Sequence, residues 1–275
     1  MKNIFILLIS FSPLFACGQV KVSSTILNKN GKTIIARFNA PNHYERLSYH
    51  SNSFQQYLSN FELYPNSTAV KYYNGFPKIN QLVAAAVLKI DIGKKDLQQC
   101  ADAVIRLRAE YLFAQKRYKQ IHFNLTNGFN ANYEKWAQGY RIKVNGNAVS
   151  WIKTKQIDFS YPTFKQYLEM VFTYAGTLSL SKEMEAVPVD SIQIGDVFIK
   201  GGSPGHAVIV VDVAINKQTG KRIFMIAQSY MPAQSIHVLV NEQNSEISPW
   251  YQLNKDEKLI TPEWIFDYNS LKRFK

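Results

Sequence analysis

The sequence predicts one α+β domain in which a helix packs on an antiparallel sheet, and three features of the chain predict it. Residues 94–112 carry apolar side chains at spacings of three and four, as on the buried face of a helix. Residues 192–230 contain three short strand-like runs separated by turn sequences. A chain of 275 residues can bury a sizeable core. Its composition, with 46% hydrophobic and 19% charged residues, excludes an intrinsically disordered protein.

The first sixteen residues have the composition of an export signal. Lys2 precedes a short apolar run, which is too short to span a bilayer as a mature helix. The run ends in Leu14-Phe15-Ala16-Cys17, which is similar to a bacterial lipobox. We therefore expect a signal peptide over residues 1–16 and a lipid anchor on Cys17, with acyl chains in place of a transmembrane helix. Cleavage after Ala16 without lipidation is the alternative.

This segment predicts where the protein is and how it is organised. A lipidated Cys17 places the protein in the cell envelope, anchored to a membrane in the periplasm or at the outer membrane. Residues 17–36 are predicted to form a tether, and residues 37–275 a single domain. We expect a monomer.

The chain is strongly basic, with a formal net charge of +12 that falls to +11 when Lys2 is removed with the signal. This charge favours anionic surfaces of the envelope. The basic residues are scattered and form no known nucleic-acid-binding motif, so we expect no nucleic-acid partner. The sequence also contains no phosphate-binding glycine loop and no paired cysteine or His-Glu metal motif, so we expect neither a cofactor nor a metal.

Several further elements are predicted along the chain. A short amphipathic helix is expected around residues 53–61, and strands over residues 69–73 and 83–90. A longer helix begins at Pro162, carries aromatic residues at core spacing, and ends before Gly176.

Cys100 is the one cysteine left once Cys17 is assigned to the anchor. A lone cysteine is most often a small buried apolar residue. Its place on the predicted helix favours another role, because Asp96 is a typical N-cap and Gln99 completes a loose capping box three residues later. Cys100 then lies in the first turn, where free N–H groups and the helix dipole favour a thiolate. Cys100 is therefore a candidate nucleophile.

The three strands of the second half carry a candidate base. They are predicted over residues 197–200, 207–213 and 222–229, with turns at residues 201–205 and 216–221. The middle strand is almost continuously β-branched, which indicates burial on both faces.

His206 directly precedes the middle strand and is the candidate base. Pairing the last two strands about their turn places Gln228 within about two residues of His206, where its amide oxygen can hold one tautomer of the imidazole. Asp196 and Asp212 are alternative partners that this register places less favourably. His122 is the alternative base, on a predicted strand that gives it no obvious approach to the helix start.

Two motifs around these strands resemble a known group of enzymes. Gly195-Asp196-Val197-Phe198 and Gly205-His206-Ala207-Val208-Ile209-Val210 are similar to the second half of the NlpC and CHAP groups of papain-like cell-wall hydrolases. The resemblance implies a papain-like fold with an inserted helical subdomain around residues 120–190. It also implies a triad with Cys100 as nucleophile, His206 as base and Gln228 as the residue that orients the base.

The activity that this resemblance implies is hydrolysis of a peptide or amide bond in the envelope, such as one in a peptidoglycan stem peptide. We expect the backbone N–H of Cys100, with the side chain of Gln98 or Gln99, to stabilise the oxyanion. The alternative is a catalytically inactive lipoprotein that binds wall fragments or a protein partner through the same cleft. It arises because Gln99-Cys100-Ala101-Asp102 stands where the NlpC-type motif is Asp-Cys-Ser-Gly.

Over almost the whole mature chain, the sequence resembles a family of exported Bacteroidetes lipoproteins, the domain of unknown function DUF4846. This family lends no activity. The stretches that carry the resemblance are Arg37-Phe38 through Tyr44-Glu45-Arg46, Ser53-Phe54 with Tyr57-Leu58, Gln99-Cys100-Ala101-Asp102-Ala103 through Arg106-Leu107-Arg108-Ala109-Glu110-Tyr111, Gly205-His206-Ala207-Val208, Ala227-Gln228-Ser229-Tyr230-Met231-Pro232-Ala233-Gln234, and Thr261-Pro262-Glu263-Trp264.

Overall fold

The structure is a computed structural model that describes residues 22–275. The predicted signal peptide over residues 1–16 and the predicted lipidation site Cys17 lie outside the described residues. Within residues 22–275 the fold is mixed α+β and is built on a large antiparallel sheet. Helices in this part of the chain are all too short or too polar to cross a membrane.

Six α-helices and three short 3-10 helices lie in the described part of the chain. The α-helices are α1 (Ile34–Arg37), α2 (Phe54–Ser59), α3 (Cys100–Ala114), α4 (Tyr133–Ala137), α5 (Tyr161–Tyr174) and α6 (Thr177–Glu183). The 3-10 helices are Tyr118–Gln120, Val189–Ser191 and Tyr268–Ser270.

The strands form one sheet of nine strands and three two-stranded sheets. They are β1 (Glu45–Arg46), β2 (Ala84–Val87), β3 (His122–Asn124), β4 (Asn130–Asn132), β5 (Tyr140–Asn145), β6 (Ala148–Lys153), β7 (Glu185–Ala186), β8 (Val197–Lys200), β9 (His206–Ile215), β10 (Arg222–Gln228), β11 (His237–Leu239), β12 (Tyr251–Gln252), β13 (Leu259–Ile260), β14 (Ile265–Phe266) and β15 (Leu271–Arg273). The large sheet has the order β2-β11-β10-β9-β8-β15-β7, with β1 beside β9 and β12 beside β10.

The helix α3 packs against the central strand β9 of the large sheet. Side chains on both elements are almost fully buried, including Leu107 on the helix and Val208 on the strand. Burying an aliphatic side chain of this size contributes about 1.5–3 kcal/mol, so the many residues of this layer hold the two elements firmly together. The helix start and the strand start thereby become neighbours.

Residues 120–190 form a region that contains more than the predicted helices. The hairpins β3–β4 and β5–β6 accompany α4, α5 and α6 there. The aromatic side chains that the spacing predicts to be core, Phe164, Tyr167 and Phe172, are buried, and the rings of Phe164 and Phe113 stack at 4.3 Å between centroids. The aromatic stripe is therefore core, and it joins this region to α3.

Residues 22–36, which we expected to belong to the tether, pack on the body of the domain. Ile26 and Ile34 are buried, and Leu27 forms a β-bridge with Phe38. The packed part of the chain thus begins before residue 37, because these apolar side chains complete the core next to α2 and β9.

Candidate active site

One pocket brings the start of α3 together with the start of β9. It has a volume of about 290 Å³. Cys100 and His206, which lie 106 residues apart in the sequence, both line it. Its aromatic and hydroxyl-bearing lining residues are Phe172, Thr177, Ser203, Tyr230 and Trp264.

Cys100 is the first residue of α3. Gln99, and not the predicted Asp96, is the N-cap, and its backbone N–H donates to the Asp102 carboxylate at 3.1 Å. Asp96 instead accepts from the backbone N–H of Ala233 at 2.6 Å, which ties the loop before the helix to the loop after β10. The later start places the cysteine at the N-terminal end of the helix rather than within it.

Burial decides the charge state of the thiol. Cys100 is 8% exposed, and this burial raises the pKa of its thiol to about 11, with a further rise from the charge of Asp102. The backbone N–H groups of Ala101 and Ala207 lie close enough to the sulfur to lower its pKa, but they do not reverse the shift. The expectation of a thiolate at the helix start is therefore wrong for the protein at rest: Cys100 is a thiol at neutral pH.

His206 lies at the start of β9, and three aromatic side chains pack around its imidazole. Its imidazole lies 4.8 Å from the ring of Tyr230, 5.3 Å from Trp264 and 5.8 Å from Phe266, measured between centroids. The side chain is 1% exposed. Burial lowers the pKa of His206 to about 4, against the opposing effects of Gln228 and Glu263. The imidazole is therefore neutral at pH 7 and can accept a proton.

Gln228 is the last residue of β10 and contacts His206 directly. Its Oε1 lies 2.7 Å from His206 Nε2. The recorded register pairs Ala227 with Ile209, so Gln228 falls two residues from the position opposite His206, which is the spacing predicted from the turn. The structure thus places Gln228 in contact with His206, and Cys100 in the same pocket as His206.

Two further residues extend this arrangement, and no pattern in the sequence predicts either of them. Gln228 Nε2 donates to Glu263 Oε2 at 2.7 Å, and Lys78 Nζ donates to Glu263 Oε1 at 2.7 Å. Lys78 is 6% exposed and also lies over the ring of Tyr230, 5.6 Å from its centroid. Glu263 stands in a stretch that carries the family resemblance, Thr261-Pro262-Glu263-Trp264, but no spacing rule connects it to Gln228.

The two glutamines expected at the oxyanion differ in position. Gln98 does not line the pocket: its Oε1 accepts from Arg106 on the buried side of α3, at 3.1 Å. Gln99 does line the pocket, and its Nε2 donates to Asp96 at 3.1 Å. Of the two glutamines, Gln99 therefore lines the pocket, but its amide nitrogen is bound to Asp96; the N–H groups that act on the thiol belong to the backbone of Cys100, Ala101 and Ala207.

The ionisable side chains that line the pocket include two carboxyl groups, although the chain as a whole is basic. Asp96 and Asp102 line it, and the lining residues in the described part of the chain include no lysine or arginine. Asp102 is 6% exposed and its Oδ1 has no hydrogen-bond partner. Burial raises the pKa of this carboxyl to about 8, so a large fraction of it is protonated at neutral pH.

The alternative candidates lie elsewhere. His122 is exposed on β3, where its Nδ1 lies 3.4 Å from Asn130 Nδ2, and it does not line the pocket. Asp212 pairs with Arg46 at 2.7 Å, and Asp196 with Arg273 at 2.6 Å, so both carboxylates serve the packing of the sheet. Among residues 22–275, no three His, Cys, Asp or Glu side chains are grouped as a metal site requires.

Comparison with known proteins gives a family and no activity. The family model described as "Domain of unknown function (4846)" matches residues 34–273, which is most of the chain. No curated protein and no solved structure matches it.

Proposed function

Since the chain belongs to the family DUF4846, whose description names no activity, we propose a function from the site itself: the protein is a cysteine hydrolase that cleaves a peptide or amide bond. One observation carries the proposal. A cysteine at a helix start and a neutral histidine line the same pocket, and a buried glutamine holds the histidine at 2.7 Å. Nucleophile, base and orienting residue are the three parts that this chemistry needs.

The resting charges define the first step. The thiol and the imidazole are both neutral at pH 7, because burial raises the pKa of Cys100 and lowers that of His206. His206 therefore takes the thiol proton as the sulfur attacks the carbonyl carbon, and no thiolate forms beforehand. The carbonyl π electrons move to oxygen, and N–H groups at the start of α3 stabilise that oxyanion.

The remaining steps return the site to its resting state. The oxyanion collapses and the C–N bond breaks, while the imidazolium of His206 gives its proton to the departing amine. Cys100 then carries the acyl group of the substrate as a thioester. A water molecule then attacks the thioester while His206 accepts its proton. The C–S bond breaks, the acid product leaves, and the proton returns to the sulfur.

The substrate follows from where the protein is proposed to be. The predicted signal over residues 1–16 and the lipobox at Cys17 favour a protein anchored in the envelope. We therefore infer a peptide or amide substrate of the envelope, with peptidoglycan stem peptides as the first candidates. A papain-like layout accords with this inference, since α3 bears the cysteine and packs on the antiparallel strand that bears the histidine.

A second function is favoured by one observation, the burial of the thiol. Cys100 is 8% exposed and its pKa is raised to about 11, which makes it a poor nucleophile at rest. On this alternative the protein is a catalytically inactive lipoprotein that uses the same pocket to bind wall fragments or a protein partner.

One experiment separates the two functions. The purified protein is incubated with muropeptides and with peptide libraries, and products are followed by mass spectrometry. For a hydrolase, wild type releases products whereas Cys100→Ser and His206→Ala do not, with losses of 10²-fold or more. Cys17→Ser is the matched control, because it makes the same chemical change at the other cysteine, and it should keep full activity in detergent.

The opposite result would favour the binding module. If wild type and Cys100→Ser bind the same fragments with equal affinity and neither releases product, the hydrolase proposal fails.

A further inference from the structure

The pocket histidine is the first of four side chains joined end to end by hydrogen bonds. His206 Nε2 meets Gln228 Oε1, Gln228 Nε2 meets Glu263 Oε2, and Glu263 Oε1 meets Lys78 Nζ, each at 2.7 Å. We call these four residues the relay. It runs from the pocket to a lysine that is 6% exposed.

The direction of each hydrogen bond in the relay is fixed at the lysine end. An ammonium group can only donate, and a carboxylate can only accept. Glu263 lies between two nitrogens, and because it must accept from both, the amide nitrogen of Gln228 has to face it. The amide oxygen of Gln228 is then left for His206. A glutamine without such a neighbour could present either end of its amide to the ring.

The orientation of Gln228 determines which ring nitrogen carries the proton. An amide oxygen accepts, so the Nε2 that faces it must be protonated. In the neutral imidazole the other nitrogen, Nδ1, then has a free lone pair, and Nδ1 has no hydrogen-bond partner among residues 22–275. With the amide reversed, the proton would lie on Nδ1 and that nitrogen could not accept another.

Solvent cannot replace the relay. His206 and Gln228 are each 1% exposed, and the rings of Tyr230, Trp264 and Phe266 surround the imidazole. A buried polar group that loses its partner here finds no water, so the misoriented amide is unfavourable. The side chain of Glu263 is 17% exposed and Lys78 secures it from the far side.

We propose that Glu263, held by Lys78, is a positioning residue that orients the amide of Gln228 and thereby keeps the proton of His206 on Nε2, leaving Nδ1 free to accept the thiol proton. The assignment of the tautomer stands on geometry alone. Its consequence for catalysis rests on the proposed function. The relay also explains how a glutamine can serve as the orienting residue, since a glutamine alone does not fix which end faces the base.

The test is the tautomer itself, read by long-range ¹H–¹⁵N NMR of the full chain labelled at histidine. The signals of His206 are assigned by their absence in His206→Ala. We expect wild type to show one neutral tautomer, protonated on Nε2, at pH 7. In Glu263→Gln the fixed direction is lost, and we expect the His206 signals to shift toward the Nδ1-protonated form or to average between both forms.

Two further variants make the test specific. Glu110→Gln is the matched control: Glu110 is paired with Arg106 at 2.6 Å and is 12% exposed, but it lies ten residues beyond Cys100 on α3. It should leave the His206 signals unchanged. Combining Gln228→Glu with Glu263→Gln should restore the Nε2-protonated form, because the carboxylate then at position 228 can only accept from the ring.

The outcomes are decisive in both directions. A wild-type His206 protonated on Nδ1, or an unchanged tautomer in a folded Glu263→Gln protein, overturns the proposal. If Glu263→Gln does not fold, the wild-type spectrum and the double variant still decide it. Failure of the proposed function is distinguishable, because muropeptides would then remain uncleaved while Glu263→Gln still moves the tautomer. If cleavage occurs, Glu263→Gln should slow it by about 10- to 100-fold, less than the loss of the base itself.

Discussion

At Cys100 the helix dipole favours the thiolate, whereas burial favours the neutral thiol, and burial has the larger effect. The positive end of a helix dipole stabilises a nearby anion by about 0.3–1 kcal/mol. Raising the thiol pKa from 9.0 to about 11 corresponds to about 2.7 kcal/mol against the thiolate, since each pKa unit is about 1.4 kcal/mol. The cysteine is therefore a thiol at rest, and in the proposed mechanism His206 has to remove its proton during the reaction.

Burial also shifts the titration of Asp102, and this shift makes the stability of the protein depend on pH. Burial raises the pKa of its carboxyl to about 8, whereas an aspartate in an unfolded chain titrates near 4. Between about pH 4 and pH 8 the folded protein therefore holds a proton that the unfolded chain has released. The folded state binds more protons, so this residue makes stability fall as the pH rises through that window.

We expect Asp102→Asn to remove this part of the pH dependence. Between pH 4.5 and pH 8, Asp102 should lower the free energy of unfolding of wild type by roughly 2–5 kcal/mol, at about 1.4 kcal/mol per pKa unit. The variant should not show this loss. The asparagine oxygen can still accept from the N–H of Gln99, so the helix cap is kept. The measurement is urea unfolding at both pH values.

Asp190→Asn provides the control for this measurement, because Asp190 is an exposed aspartate outside the pocket. It should change neither the stability nor its pH dependence. Parallel pH profiles of wild type and Asp102→Asn would show that Asp102 does not carry the proton.

At the scale of elements, the sequence predicts the strands beside the pocket more closely than the start of α3. The strand β8 has the predicted bounds, and β9 starts one residue earlier than predicted, at His206. These strands are recognisable because they are continuous apolar runs between turns. The start of α3 was predicted too early, since Asp96 and Gln99 both fit a cap locally, and the contact of Asp96 with Ala233 that decides between them is distant in sequence.

Long-range contacts also explain which parts of the site could not be predicted. Gln228 was predictable because one turn fixes its register relative to His206. Glu263 and Lys78 come from loops that no such turn connects to β10, so only the folded chain shows that they meet. Residues 69–73, predicted as a strand, form only isolated bridges at Lys71 and Tyr72.

Gly205 is the residue that lets β9 begin at the pocket. A side chain there would lie 2.4 Å from the backbone oxygen of Gly202, 2.4 Å from Thr177 Oγ1 and 2.7 Å from the backbone oxygen of Lys200. We expect Gly205→Ala to displace the start of β9, to lower the free energy of unfolding by about 1–3 kcal/mol, and to reduce hydrolysis at least tenfold by moving His206. Thermal unfolding and the muropeptide assay measure the two effects.

The control for this substitution lines the same pocket. At Gly176 an added methyl group would meet no atom within 4 Å, so Gly176→Ala should keep activity and lose at most about 1 kcal/mol as a poorer helix N-cap. Equal behaviour of the two variants would mean that close packing at Gly205 does not position His206.

At the scale of the whole molecule, the packed N-terminal segment shortens the tether. Val22 packs against the core and Ile26 and Ile34 are buried in it, so at most residues 18–21 separate the proposed anchor, Cys17, from the packed chain. Even a fully extended chain of that length reaches less than about 20 Å. If Cys17 carries acyl chains, the domain therefore lies against the membrane surface, and its net positive charge favours that position beside anionic headgroups.

This arrangement predicts opposite behaviour for the two cysteines. Cys17→Ser removes the acceptor for the acyl chains, so the protein should move from the membrane pellet to the soluble fraction. Its fold should be unchanged, because the substitution leaves the buried side chains of Ile26 and Ile34 in place. Cys100→Ser, the matched control, should stay in the pellet and lose only hydrolysis. Cell fractionation with mass spectrometry of the N-terminal peptide measures both, and a Cys17→Ser protein that still pellets with membranes would contradict the lipid anchor.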